Sequence, residues 1–192
     1  MRALIDRPKV SQEALDEATK MALAPFEPHD KPENPYTLHA ELQESMNDLV
    51  GIIRKEEEIE QALAKLDELR GRLQNVAVEG SHVYNPGWHL AIDMRNMLLV
   101  SECVAKAALQ RTESRGGHTR DDFPQMDAKW RNKLLVCRTT DAATAEAMVP
   151  RVTVEAEAQD PMRPDLLECF ELSELEKYYT DGELHEHPQR KG

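Results

Sequence analysis

The sequence predicts a mainly α fold: a three-helix antiparallel bundle with an N-terminal arm, a small C-terminal β-ribbon and a tail. Three observations point there. Apolar residues recur at three- and four-residue steps through 36–53 and again through 59–73, each the face of an amphipathic helix. Asn85-Pro86 then opens a long, largely apolar run in the manner of a helix start, an N-cap followed by the imino acid suited to the first turn. Strand-like alternation appears only after residue 133.

The arm covers 1–33. Ser11 is placed to cap a short helix reaching about Leu23, and Glu13 suits its first turn. Pro25, Pro28, Pro32 and Pro35 are incompatible with a continuing helix and predict an extended connector. The bundle takes 34–132. Its first helix runs from Tyr36 to Ile53, with Leu38, Leu42, Met46, Leu49, Val50 and Ile53 on one face. Glu56, Glu57 and Glu58 open the second, where acids meet the positive end of the helix dipole. Its stripe is Ile59, Leu63, Leu66, Leu69 and Leu73, with Ala62 alongside. Only Arg54 and Lys55 separate the two stripes, so a tight corner or a kink joins them. The third helix runs from Asn85 to a stop at Gly116-Gly117, roughly 27 residues or about 40 Å. Arg95, Glu102, Lys106, Gln110 and Glu113 form one narrow polar stripe on it. The apolar remainder predicts cover from another domain or subunit as well as from the bundle. The last part, 133–192, holds runs at Leu134–Thr139 and Val149–Ala156, a ribbon that needs packing support. The DLLECFELSELEKYY segment (165–179) predicts a short helix, followed by an acidic, solvated tail.

Composition narrows the function classes. Acidic residues number 36 against 24 basic ones, a formal charge of -12, which excludes a phosphate-binding surface of the nucleic-acid kind. A hydrophobic content of 40% excludes a disordered acidic chain. None of the 8 glycines has G-x-G spacing, so neither a dinucleotide fingerprint nor a phosphate loop is present. Cys103, Cys137 and Cys169 are sparse, odd in number and without C-x-x-C, which predicts reduced thiols and no structural zinc or iron–sulfur site. The longest apolar stretch, Met97–Val100, is far below the ~18 residues needed to span a bilayer, and Arg2, Asp6, Arg7 and Lys9 interrupt any signal-peptide pattern. The expected location is cytoplasmic, with peripheral association at the inner face of the cell membrane only through a complex.

One segment carries unusual chemistry. Between Glu113 and Asp122, two arginines, a histidine and three carboxylates surround a glycine pair. Such a cluster could bind an anion or conduct protons. It could equally be a self-paired polar knot that closes a helix and docks onto a neighbour, and the near balance of opposite charges favours the knot. Glu113, Arg115, His118, Arg120, Asp121 and Asp122 are therefore candidate interface residues. The glycine pair is expected to let the chain leave the helix sharply, placing Arg115, His118 and Arg120 on a short exposed turn. His118 with Asp121 or Asp122 lacks a further ligand pair for a metal, and His185 and His187 read as tail. Ser114 has no G-x-S-x-G frame and Cys103 falls in an apolar helix, so no nucleophile stands out. The chain is expected to hold no catalytic, cofactor-binding or metal-ligating residue of its own.

The segments YNPGWHLAIDMRNML (84–98) and RTESRGGHTRDDFP (111–124) closely resemble the flavoprotein subunit of succinate dehydrogenase and fumarate reductase, in its C-terminal helical domain. LQESMND (42–48) resembles that domain's first bundle helix, and the resemblance runs from about Asn34 to Trp130 and more weakly to the tail. The resemblance implies a parent subunit that uses FAD to interconvert succinate and fumarate and passes electrons to an iron–sulfur subunit, within the tricarboxylic acid cycle and electron transport. In that family the FAD fold, the histidine that holds the flavin and the residues that meet the dicarboxylate all precede this domain, and none has a counterpart here. The chain is thus expected to be an excised domain, a truncated reading frame or one piece of a split subunit. Its implied partners are an FAD-binding domain, in the same or a separate chain, and the iron–sulfur subunit. The other reading is a free-standing helical interaction module without catalytic activity.

Overall fold

The computed structural model describes residues 9–141, 148–179 and 182–184. The arm helix α1 spans Gln12–Leu23, and the Ser11 hydroxyl accepts from the Ala14 N–H at 3.1 Å, as its sequence position predicts. The connector departs from expectation at both ends. Pro25 sits in a 3-10 turn, Ala24–Phe26, and Pro35 opens helix α2, Pro35–Leu49, behind the Asn34 cap. Proline is excluded from a helix interior, but in a first turn its missing N–H has no partner to lose.

Helix α2 stops at Leu49, short of the expected Ile53, and Ile52 and Ile53 are 80% and 63% exposed. The chain turns at Gly51, where a Cβ would come within 2.6 Å of the Asn47 carbonyl oxygen. The junction is therefore a corner. It is held by strand β1, Ile53–Arg54, which pairs in parallel with β2, Thr119–Arg120. Helix α3 spans Glu56–Leu73 with its three glutamates in the first turn. Helix α4 spans Pro86–Gln110, and the Asn85 side chain accepts from the Trp88 N–H at 3.0 Å. Residues 111–115 lie between its end and the glycine pair, so Gly116-Gly117 is not its stop.

The core forms where the three stripes meet: Leu38 and Leu42 from α2, Ile59 and Leu66 from α3, and Met94 and Leu98 from α4 are all buried. The polar stripe of α4 faces solvent only in part: Gln110 is exposed and Arg95 and Lys106 are half-buried. Glu102 is 3% exposed and pairs with Arg70 of α3 and with Lys106, 2.6 Å away, so it ties α4 to α3 inside the bundle. Much of the apolar arc on α4 is covered by this chain's own flanking segments. At its N-terminal half, Trp88 Nε1 donates to the Ala22 carbonyl at 2.7 Å, Arg95 donates to that of Met21, and Phe26 meets the Trp88 ring edge-on. At its C-terminal half lies the predicted ribbon, β3 (Lys133–Thr139) antiparallel to β4 (Val152–Ala158), with Lys106 Nζ donating to the Val152 carbonyl at 2.6 Å. Val100 and Val104 stay 60% and 41% exposed.

The tail is two short helices, α5 (Pro164–Leu167) and α6 (Leu172–Leu175). It is not wholly solvated: Leu175 and Leu184 are buried, and Arg131 pairs with Glu183 while stacking over the Tyr179 ring. His185 and His187 lie outside the described residues. Among the described residues, no helix is long and apolar enough to cross a membrane.

Candidate functional site

The polar loop between α4 and the ribbon is organised around Arg120, a cation with 0% exposure. The backbone fixes its place. Thr119 and Arg120 pair with Ile53 and Arg54, and the Asp121 N–H donates to the Arg54 carbonyl at 2.9 Å. From there the guanidinium reaches back to the last turn of α4, donating to the carbonyls of Ala108 (2.7 Å) and Leu109 (3.0 Å). Those carbonyls have no partner within the helix, so Arg120 is a side-chain cap carrying positive charge to the negative end of the dipole. Its other edge grips Asp122 through two bonds of 2.7 and 2.6 Å. The Asp122 carboxylate in turn accepts from the Glu56 N–H at 3.0 Å, at the start of α3, where Lys55 supplies no side-chain cap. One ion pair thus closes the C-terminus of α4 and the N-terminus of α3, with each charge at the matching end. The Arg120 guanidinium, helped by the Glu56 N–H, holds the Asp122 carboxyl down at about 2.

Glu113 is the second hub and is also fully buried. It pairs with Arg111, lies 3.3 Å from Arg115, and accepts from the Asp127 N–H at 3.0 Å. Ser114 Oγ accepts from the Arg120 N–H at 2.8 Å and lies 2.9 Å from the Phe123 carbonyl, which makes it a loop staple. The glycine pair forms the tip of a tight reversal in which Arg115 and His118 exchange backbone bonds of 2.8 and 3.0 Å, and Gly116 takes φ 57. That left-handed conformation is strained for any residue with a Cβ.

His118 is partly buried with both ring nitrogens engaged. Nε2 lies 3.0 Å from the Arg111 carbonyl, which can only accept, and Nδ1 lies 3.0 Å from an Arg54 guanidinium nitrogen, which can only donate. This pairing assigns the proton to Nε2. Burial, followed by the nearby positive charges of Arg54, Arg111 and Arg120, pushes the imidazole below its usual range. Neither nitrogen is free for a metal, and among the described residues no group of three or more His, Cys, Asp or Glu is placed to hold one.

The expected short exposed turn is therefore corrected. Arg120 and Glu113 are sealed inside, His118 is wedged against α4's exit, Arg115 is half-buried over the Tyr178 ring, and the outward member is Asp121, which faces Lys55 at 3.5 Å. Sequence reasoning missed Arg54 and Arg111, both of which meet His118. In the sequence Arg54 is only spacing between two stripes, and a lone arginine at a helix corner carries no local signal of a partner 64 positions away. The residues present do not fit a dinucleotide cofactor either. The described sheets are two-stranded, and the glycine pair leads into strand β2 rather than into a helix N-terminus that could cradle pyrophosphate.

The family model for the fumarate reductase flavoprotein C-terminus matches residues 39–166. A fumarate reductase flavoprotein subunit of Helicobacter pylori is 33% identical over 160 residues, covering 82% of this chain and 21% of its own length. A succinate dehydrogenase flavoprotein subunit of Coxiella burnetii is 32% identical over 148 residues, covering 74% and 24%. Among solved structures, the Mycobacterium smegmatis Sdh1 complex in the apo form superposes with a TM-score of 0.87 at 70% identity, covering 97% of this chain and 31% of the matched one. The chain thus spans about a fifth of the length of the curated relatives, 21% and 24%.

Proposed function

The chain belongs to the family of the fumarate reductase flavoprotein C-terminal domain, and from that membership we propose that it braces, without itself performing, an FAD-dependent interconversion of succinate and fumarate. The observation that carries this reading is the superposition on the mycobacterial Sdh1 complex at 70% identity, which extends over nearly all of this chain and under a third of the other. The parent subunit would carry the flavin and the dicarboxylate site on its remaining length, pass electrons to an iron–sulfur subunit, and reach the membrane peripherally through the complex. The division into an arm (1–33), a bundle with its polar loop (34–132) and a ribbon with tail (133–192) belongs to the same proposal. So does docking by the loop: the internal pairing of Glu113, His118, Arg120 and Asp122 shapes it, and Arg115 and Asp121 present its outer side to the flavin domain or the iron–sulfur subunit.

Two measurements test this. Purified chain titrated with FAD should give no saturable change in flavin fluorescence and no succinate-dependent dye reduction. Saturable binding in the micromolar range or tighter would overturn the bracing role. In the intact parent subunit, Arg115→Ala with Asp121→Ala should weaken assembly and leave turnover per assembled complex normal. Normal assembly with turnover down about a hundredfold, the size expected of lost transition-state contacts, would instead put the loop in the active site.

A further inference from the structure

Two of the three thiols are brought together by the docking of the ribbon on α4. Cys103 lies in α4 and is half-buried, and Cys137 lies in β3 and is exposed. They are 34 positions apart, yet Cys137 Sγ is 3.9 Å from the Cys103 carbonyl oxygen. Cys169 is elsewhere, with its sulfur 3.7 Å from the Asp165 carbonyl. The ribbon's other fastenings to α4 are non-covalent: the Lys106 bond to the Val152 carbonyl and the buried Val149 and Val152. A two-stranded ribbon is marginal without support.

We propose that Cys103 and Cys137 are an oxidisable dithiol that closes to a disulfide and pins the ribbon to helix α4. The covalent ring would enclose the whole polar loop, since residues 111–127 lie between the two cysteines, so closing it constrains both ends of that loop. The roles of the two sulfurs follow from their surroundings. Burial and the neighbouring Cys137 thiol push the Cys103 thiol up to about 11, which keeps it protonated and unreactive toward solution oxidants. Cys137 is exposed and meets the oxidant first. With hydrogen peroxide, the Cys137 thiolate attacks one oxygen, the O–O bond breaks, and a sulfenic acid forms as hydroxide leaves to become water. The Cys103 sulfur then attacks the sulfenic sulfur. The S–O bond breaks, a second water departs with the Cys103 proton, and the S–S bond is made. Two thiols supply two electrons, and one peroxide becomes two waters.

The experiment treats the full chain, at a few micromolar, with hydrogen peroxide, then alkylates it and maps its peptides by mass spectrometry. The expected product is a monomer in which the Cys103 and Cys137 peptides are joined with the loss of two hydrogens, Cys169 is alkylated, and dithiothreitol restores both thiols. The urea midpoint of the oxidised wild type should rise and return on reduction. Cys137→Ser should leave Cys103 fully alkylated, whereas Cys169→Ser should leave the cross-link intact. Sulfinic acid on Cys137 beside an alkylated Cys103 would overturn the proposal, as would a disulfide-linked dimer as the product or an unchanged urea midpoint in the cross-linked monomer.

Discussion

Replacing Arg120 by alanine tests the central structural claim, that one buried ion pair closes two helix ends. The guanidinium uses four of its five N–H donors, two on the Ala108 and Leu109 carbonyls and two on Asp122. Arg120→Ala leaves both carbonyls without a donor, at about 1 kcal/mol or more each where water cannot reach them. It also strands a carboxylate whose side chain is 27% exposed and therefore still partly hydrated. Breaking a buried pair from one side costs about 3–5 kcal/mol, and the loss is expected within that range. Arg120→Lys keeps the charge but cannot span both partners, so roughly half the loss should remain. Urea unfolding of the full chain at pH 7 measures each variant, with an unchanged m-value showing that stability alone has moved. The acid limb supplies a second signature. Because the folded state holds Asp122 below its ordinary 3.8, its contribution is complete above that value and is lost as pH falls through about 2. This limb should vanish in Arg120→Ala. A loss below about 1 kcal/mol would refute the capping role, as would full additivity between Arg120→Ala and Asp122→Asn.

Leu98 is 1% exposed at the meeting of the three helices, so Leu98→Ala should cost about 2–5 kcal/mol in the same assay, and a change within error would mean that this face of α4 is not core. His118 is held below the usual imidazole range, so its contribution is present above about 6.5 and is lost as pH falls toward the folded value. Protonation would set a new positive charge against Arg54, Arg111 and Arg120 and remove the acceptor that Arg54 uses. Unfolding free energy should therefore drop between pH 7 and pH 5 in the wild type and drop less in His118→Gln; equal slopes would show that other groups set the dependence.

What the sequence revealed and what it hid divide along a physical line. The stripes of α2 and α3, the Ser11 and Asn85 caps and the two ribbon strands depend on neighbours within a few positions, and each was readable. The ends of α2 and α4 were not. Helix α2 stops at Leu49 because the chain must turn at Gly51 to enter β1, whose partner lies in the polar loop. Helix α4 ends at Gln110 with its last free carbonyls taken by Arg120 from the loop, an arrangement that no propensity encodes. Glu102 illustrates the same limit. Its spacing placed it with Lys106 on a polar stripe, whereas its burial depends on Arg70 from another helix.

The loop's composition suggested internal pairing, and the geometry shows how that pairing is fixed in place. Charge balance alone would allow Arg115, His118 and Arg120 to trade partners freely around Glu113, Asp121 and Asp122. The structure removes that freedom by giving each inner group a partner that cannot move: helix-end carbonyls for Arg120, the Glu56 N–H for Asp122, the Asp127 N–H for Glu113, and the Arg111 carbonyl for His118. Backbone groups at helix ends are rigid and oriented, so the inner layer is fixed by the bundle that it closes. If the loop docks as proposed, electrostatic contact with a partner must come from groups whose donors or carboxylates still face outward. Asp121, 59% exposed at its side chain, meets that condition fully, and Asp122, at 27%, and Arg115, at 22%, meet it only in part. Under the proposed docking, a substitution among the inner groups should appear first as lost stability of the isolated chain, whereas Asp121→Ala should lower assembly with little change in that stability; equal effects on both measurements would count against the docking.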